Sequence, residues 1–101
     1  MVWTLRRTER ALDDLADIWD YIAADNPAAA DRTVLDLLRL FERTADHPHL
    51  GRAAEDVGSG MRVTPKGRYL ILYRLLPEAE VSELVRVVHS AQDWRALFPD
   101  A

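Results

Sequence analysis

At 101 residues, 49% hydrophobic and 30% charged, the chain is sized and composed for a single soluble globular domain, residues 1–101, around one core. The absence of cysteine excludes disulfides and thiol chemistry and fits a reducing cytosol. Thirteen basic against 17 acidic residues leave a net charge of −4, which argues against a sequence-specific nucleic-acid binder. The opening MVWTLRRTER has no apolar stretch behind its basic residues, so no secretory leader is legible. No apolar run nears the ~20 residues that span a bilayer. A cytoplasmic protein away from membranes is the expectation.

Val2 to Arg6 alternates weakly and predicts a short first strand. Thr8 suits a helix N-cap, because its hydroxyl can accept from the free amides of a first turn. Ala11, Leu12, Leu15, Ile18, Trp19 and Ile22 then recur at the spacing of an amphipathic helix, with Asp13, Asp14, Asp17 and Asp20 on the other side. Asn26-Pro27 breaks the pattern. Pro27 pushes Asn26 out of the helical region, as an N-cap requires, and itself suits the first helical position. A second helix carries Ala30, Val34, Leu37, Leu38, Phe41 and Ala45 on one stripe and stops at His47-Pro48. The link between the helices is short, so they should pair as an antiparallel hairpin. His49 to Ser59 reads as irregular, pinned by Leu50 and Val57.

Gly60 to His89 is the stretch the rest is organised around. Three β-rich runs are separated by two turn signals, Pro65 with Gly67 and then Pro77 to Glu80. Tyr69 to Leu75 is almost continuously apolar, which suits a strand covered on both faces. Tyr69, Ile71 and Tyr73 share one face; Leu70, Leu72 and Arg74 share the other. The hairpin can cover one, and the other should be a shallow surface of arginines and aromatic rings, suited to phosphate or partner-protein contacts. Trp94, Leu97 and Phe98 in the tail from Ser90 to Ala101 predict one helical turn docked on the sheet. The fold class is α+β: a short N-terminal strand, an antiparallel helical hairpin on a three- to four-stranded mainly antiparallel sheet, and a short C-terminal tail helix or turn.

Six aspartates (13, 14, 17, 20, 25, 31) and no basic residue lie between Ala11 and Asp31. Five basic residues (52, 62, 66, 68, 74) lie between Gly51 and Arg74 against Glu55 and Asp56. This gives an acidic front and a basic sheet region, which two ordinary solvated faces explain equally well. His47, His49 and His89 lack metal-ligand spacing, so no metal or cofactor is expected. There is no glycine-rich phosphate loop, and Ser59, Ser82 and Ser90 sit in no nucleophile context. The remaining candidates are Arg62, Arg68, Tyr69, Tyr73, Arg74, Arg86 and His89. Each has a structural alternative: the tyrosines as core residues with satisfied hydroxyls, Arg74 and Arg86 as partners of acids such as Glu83, His89 as a strand-end residue.

Several strings, in order along the chain, resemble the ParE branch of the RelE/ParE toxin superfamily. They are Leu15-x-x-Ile18-Trp19-x-Tyr21-Ile22-Ala23, Asn26-Pro27-Ala28-Ala29-Ala30 and His47-Pro48-x-Leu50-Gly51-Arg52. Gly60-Met61-Arg62, Gly67-Arg68-Tyr69-Leu70-Ile71-x-Tyr73-Arg74 and Arg86-Val87-Val88-His89 follow, then Asp93 and Leu97-Phe98. The resemblance implies the toxin of a type II toxin–antitoxin pair, held inactive by a ParD-like antitoxin and poisoning DNA gyrase by trapping cleaved DNA. The RelE branch instead cleaves messenger RNA on the ribosome, and a third possibility is an inactive homologue that only binds antitoxin.

RNA cleavage needs a base, a cation on the phosphate in flight and an acid for the leaving oxygen. The nuclease branch places an arginine where this chain has Leu70, basic residues where it has Gln92-Asp93, and a tyrosine near Phe98. An apolar side chain, an amide and an acid cannot stabilise a phosphorane, so no catalytic residue is expected, with Arg62, Arg68 and His89 as the only alternative set. The family often has arginine at Gln92, so this copy could be weakened. The resemblance makes Arg62, Arg68, Tyr69, Arg74, Arg86, His89 and Trp94 candidates for target contact. It makes Trp19, Ile22, Leu38, Phe41, Arg62 and Arg74 candidates for the antitoxin, which would lay an apolar helix on the hairpin and an acidic segment on the basic sheet.

Overall fold

The computed structural model describes residues 2–98; Met1 and residues 99–101, the end of the tail, lie outside it. Strand β1, Thr4–Arg7, leads into helix α1, Glu9–Ala23. The Thr8 hydroxyl accepts from Ala11 N at 3.1 Å, the N-cap its position predicts. It also lies 3.0 Å from the Leu84 carbonyl oxygen, which ties the start of the helix to the sheet. Helix α2, Pro27–Glu42, begins with the Asn26 side chain accepting from Ala29 N, and the two helices pack as the expected hairpin. Ala45, placed on the α2 stripe by its spacing, falls instead in a separate 3₁₀ turn, Arg43–Ala45.

The sheet has five strands, against the three to four expected, in the order β1-β5-β4-β3-β2. The extra strand is β2, Arg52–Ala53, inside the segment read as irregular; two residues are too few to show alternation. Strands β3 (Met61–Lys66), β4 (Tyr69–Leu76) and β5 (Val81–His89) form the antiparallel meander, and β1 pairs with β5 in parallel. Pro65 is not in the turn. It sits within β3 opposite Leu70, beyond the stretch that β2 pairs, so its missing N–H costs no ladder bond. The turn is Gly67-Arg68, with Gly67 at φ 57°. Gly60 is constrained more tightly. Its φ is 78°, and a Cβ there would run into the Leu75 carbonyl oxygen.

Both faces of the sheet are covered. Leu15, Ile18, Leu37, Phe41, Ile71, Tyr73 and Leu84 form the core under the hairpin. Across the sheet, Val57, Met61, Val63, Leu72, Val88 and Trp94 form a second cluster beneath the 3₁₀ turns Glu55–Val57 and Trp94–Leu97. The open arginine-and-aromatic surface expected on that face is therefore absent, because the irregular segment and the tail lie on it. The nearly continuous apolar run in β4 has this two-sided cover as its cause.

β5 contains a bulge. Leu72 faces Arg86 while Tyr73 faces Leu84, leaving Val85 without a counterpart. The extra residue resets the alternation, so Leu84 and Val87, three apart, both reach the hairpin core.

Tyr73 takes its structural alternative. Fully buried, its hydroxyl accepts from Gly51 N at 2.8 Å and donates to the Pro48 carbonyl at 2.9 Å, fastening the 48–51 loop. Tyr73→Phe leaves both backbone groups unpaired and is expected to cost about 2 kcal/mol in urea unfolding at neutral pH. Burial pushes the Tyr73 pKa above its usual value, against smaller opposing effects from Gly51 and Arg62. A raised folded pKa means stability intact below the unfolded value of about 10 and lost as pH climbs through the folded one. Wild type should therefore carry an alkaline loss of stability that Tyr73→Phe lacks.

Candidate functional site

Where the hairpin meets the end of the sheet, the structure opens a trough of about 760 Å³. One wall is helical, with Arg10, Asp14, Asp17 and Tyr21 from α1 and Thr33 and Asp36 from α2. The other is the end of the sheet, with Lys66, Arg68, Tyr69, Arg86 and His89, and Gln92 at the rim. Ile18, Ile22, Leu37 and Val87 make its floor apolar, the usual make-up of a binding site.

One largely buried ion pair organises this site. Arg86 donates through Nε to Asp14 Oδ2 at 2.7 Å and through a terminal nitrogen to Oδ1 at 3.1 Å, a two-pronged pairing. Asp14 Oδ2 also accepts from Val87 N at 2.9 Å. The carboxylate thus caps the edge of β5 just past the end of β1. Arg86 pairs with Asp14 rather than Glu83, which Arg6 holds at 2.7 Å. Asp14 lies on the buried side of α1, not among the solvated aspartates. Its sequence signal was its spacing, three residues after Ala11 and four before Ile18.

The Tyr69 ring meets the His89 ring edge-on at 5.5 Å. His89 Nδ1 accepts from Ala91 N at 3.0 Å, which puts the proton of the neutral ring on Nε2.

Arg68, Tyr69, Arg86 and His89, read as target contacts, come together in the trough, and the other three do not. Arg62 is turned inward to the Gly51 carbonyl at 2.7 Å. Arg74 lies elsewhere on the sheet, its Nε buried with no hydrogen-bond partner among the described residues. Trp94 is 6% exposed and belongs to the second cluster. The alternative set Arg62, Arg68 and His89 is likewise split, with Arg62 outside the trough. Of the residues assigned to the antitoxin, Trp19 is 38% exposed, with Nε1 donating to Asp31 at 2.8 Å. Ile22 and Leu38 are half-buried against the core. Phe41 is fully buried and presents no surface, because its stripe faces the sheet. Arg10, Lys66 and Tyr21 also line the trough; Lys66 and Tyr21 stand out in the sequence only as part of the basic stretch and of a family-like string, and Arg10 carries no signal of its own.

Two helices on a five-stranded mixed sheet entered by an N-terminal strand is the fold of the RelE/ParE toxins. The toxin–antitoxin complex RelBE2 from Mycobacterium tuberculosis contains a chain that superposes with TM-score 0.68 at 22% identity, over 88% of this chain and 99% of that one. The chromosomal ParDE system of P. aeruginosa gives 0.70 at 19% identity, over 87% and 96%. The sequence places the chain more narrowly. It belongs to the family of ParE toxins of parDE type II toxin–antitoxin systems, whose profile matches residues 5–94. Toxin ParE1 of Caulobacter vibrioides is 32% identical over 90% of this chain and 93% of its own length. Toxin RelE2 of the same species is 35% identical over 91% and 96%. The chain is a type II toxin of the ParE/RelE superfamily. Among its described residues, no helix is long and apolar enough to cross a membrane.

Proposed function

We propose that this toxin acts in the cytoplasm as a protein–protein inhibitor of DNA gyrase, trapping cleaved DNA, with no active site of its own and a ParD-like antitoxin as its neutralising partner. The match to the ParE family over residues 5–94 supports the target. The observation that carries the non-catalytic reading is the state of the cations. Arg86, the most enclosed of those in the trough, is neutralised by Asp14. Leu70, where the nuclease branch has arginine, packs against the second apolar cluster. A phosphorane needs fixed positive charge aimed at it, and these two positions offer none.

The test is gyrase supercoiling with antitoxin-free protein, stopped with detergent and protease. Linear DNA should accumulate. Arg68→Glu, reversing an exposed charge in the trough, should change stability by less than about 0.5 kcal/mol yet reduce poisoning or antitoxin affinity. Normal supercoiling by folded wild-type protein overturns the gyrase reading. The likeness to RelE2 favours one other reading, a ribosome-dependent endonuclease, and messenger RNA cleavage in a translation extract would then replace it.

A further inference from the structure

β5 outruns its neighbour. Its nine residues, Val81–His89, run beside β4, but β1 covers only Val81 to Leu84. Past that point the edge is partly blocked, by Thr8 at Leu84 and Val85 and by Asp14 at the Val87 N–H. Backbone groups alternate in direction along an antiparallel ladder. Since Val87 N–H points away from β4 to reach Asp14, the Val87 carbonyl and both backbone groups of His89 point the same way. The His89 carbonyl is taken by Gln92 N at 3.0 Å. That leaves two groups with no hydrogen-bond partner among the described residues, the Val87 C=O and the His89 N–H, and both residues line the trough.

The pattern of what is free is informative. An antiparallel strand would need both groups of Val87 or both of His89, and each residue has one already occupied. A parallel strand uses the C=O of one residue and the N–H of the residue two further on, bracketing a single residue of the newcomer. Those are the two that remain. β1 already runs parallel to β5 on this edge, so an added strand would continue its line after the chain leaves at Thr8. An open edge of this kind attracts another chain unless it is blocked. The charges indicate which sort. With Asp14 and Arg86 paired, Arg10, Lys66 and Arg68 outnumber Asp17 and Asp36, in a chain whose net charge is −4.

We propose that the trough takes an extended, acid-bearing segment of a partner polypeptide, added to β5 as a short parallel strand at Val87 and His89. On the reading above, which this inference rests on, that partner is the cognate antitoxin.

The experiment compares backbone amide exchange by NMR in the free toxin and in its complex with co-expressed antitoxin. The His89 amide, unpaired in the free chain, should slow by about 100-fold or more in the complex, while Val87, already bonded to Asp14, changes less. A pair of variants isolates the backbone group. His89→Ala removes the ring and keeps the N–H; His89→Pro removes both, and only from the side facing away from β4, as Pro65 does in β3. His89→Pro should bind antitoxin about tenfold more weakly than His89→Ala, the loss of one hydrogen bond. A complex in which the His89 amide still exchanges freely overturns the strand addition and leaves the partner assignment standing, whether or not His89→Pro folds. Failure of any complex to form overturns both.

Discussion

Asp14→Ala is expected to lower the unfolding free energy by about 3–5 kcal/mol, the cost of removing one partner from a buried ion pair. Two losses combine. Arg86, whose side chain is 14% exposed, keeps its charge with nothing to neutralise it, and the Val87 N–H loses its acceptor at the edge of β5. At about 4 °C or more per kcal/mol for a domain of this size, the midpoint should fall by upwards of about 12 °C. A second variant separates the pair from its geometry. Replacing both partners, Asp14→Leu with Arg86→Met, removes the stranded charge and should recover most of the loss, since apolar replacements of buried pairs are often neutral or better. The Val87 N–H remains unpaired in the double variant, so recovery should fall short by about 1 kcal/mol or more. Urea unfolding of the wild type and these two variants checks this. A single-variant loss below about 1 kcal/mol would mean that water reaches Arg86 and screens it.

The elements were legible where one residue sets a local conformation. Thr8, Asn26-Pro27 and Gly67 mark boundaries by capping or turning the backbone, and each does so at its own position. The composition of β4 indicated cover on both faces before anything showed what supplied it. What stayed illegible depends on register. Strict alternation along β5 would group Leu84, Arg86 and Val88, but the bulge at Val85 sends Leu84 and Val87 to one core and Val88 to the other. A bulge has no residue signature here, because valine is an ordinary strand residue. The trough depends on the same offset. Arg68 and Tyr69 could be placed near a sheet end from sequence, whereas Asp14, seventy-two residues from Arg86, could be paired with it only once α1 was known to lie along the open edge. Pro65 misled for a related reason, since proline marks a turn or an unpaired edge equally well.

Trp94→Ala should cost about 3–5 kcal/mol, the range for truncating a buried tryptophan, and it decides what the tail is for. The ring fills the second cluster beside Val57, Leu72 and Val88, meets Phe98 edge-on at 6.5 Å, and has the Arg95 guanidinium over its face at 4.3 Å. Arg95 in turn donates to Asp56 at 2.6 Å, clamping the tail to the 55–57 turn. That hydrogen bond holds the Asp56 carboxyl below its ordinary pKa, so the clamp contributes fully above the usual carboxylate range and is lost as pH falls through the lowered folded value. This arrangement gives Trp94 a packing role, and direct contact with a target would need the ring exposed. Trp94→Phe distinguishes the two roles. It keeps an aromatic body in the cluster, should cost only about 1–2 kcal/mol, and leaves a folded toxin. On the gyrase reading proposed above, if the indole only packs, this variant should trap cleaved DNA in proportion to its folded fraction. A fully folded Trp94→Phe protein that no longer traps cleaved DNA would instead mean that the tail lifts from the sheet and Trp94 meets the target directly.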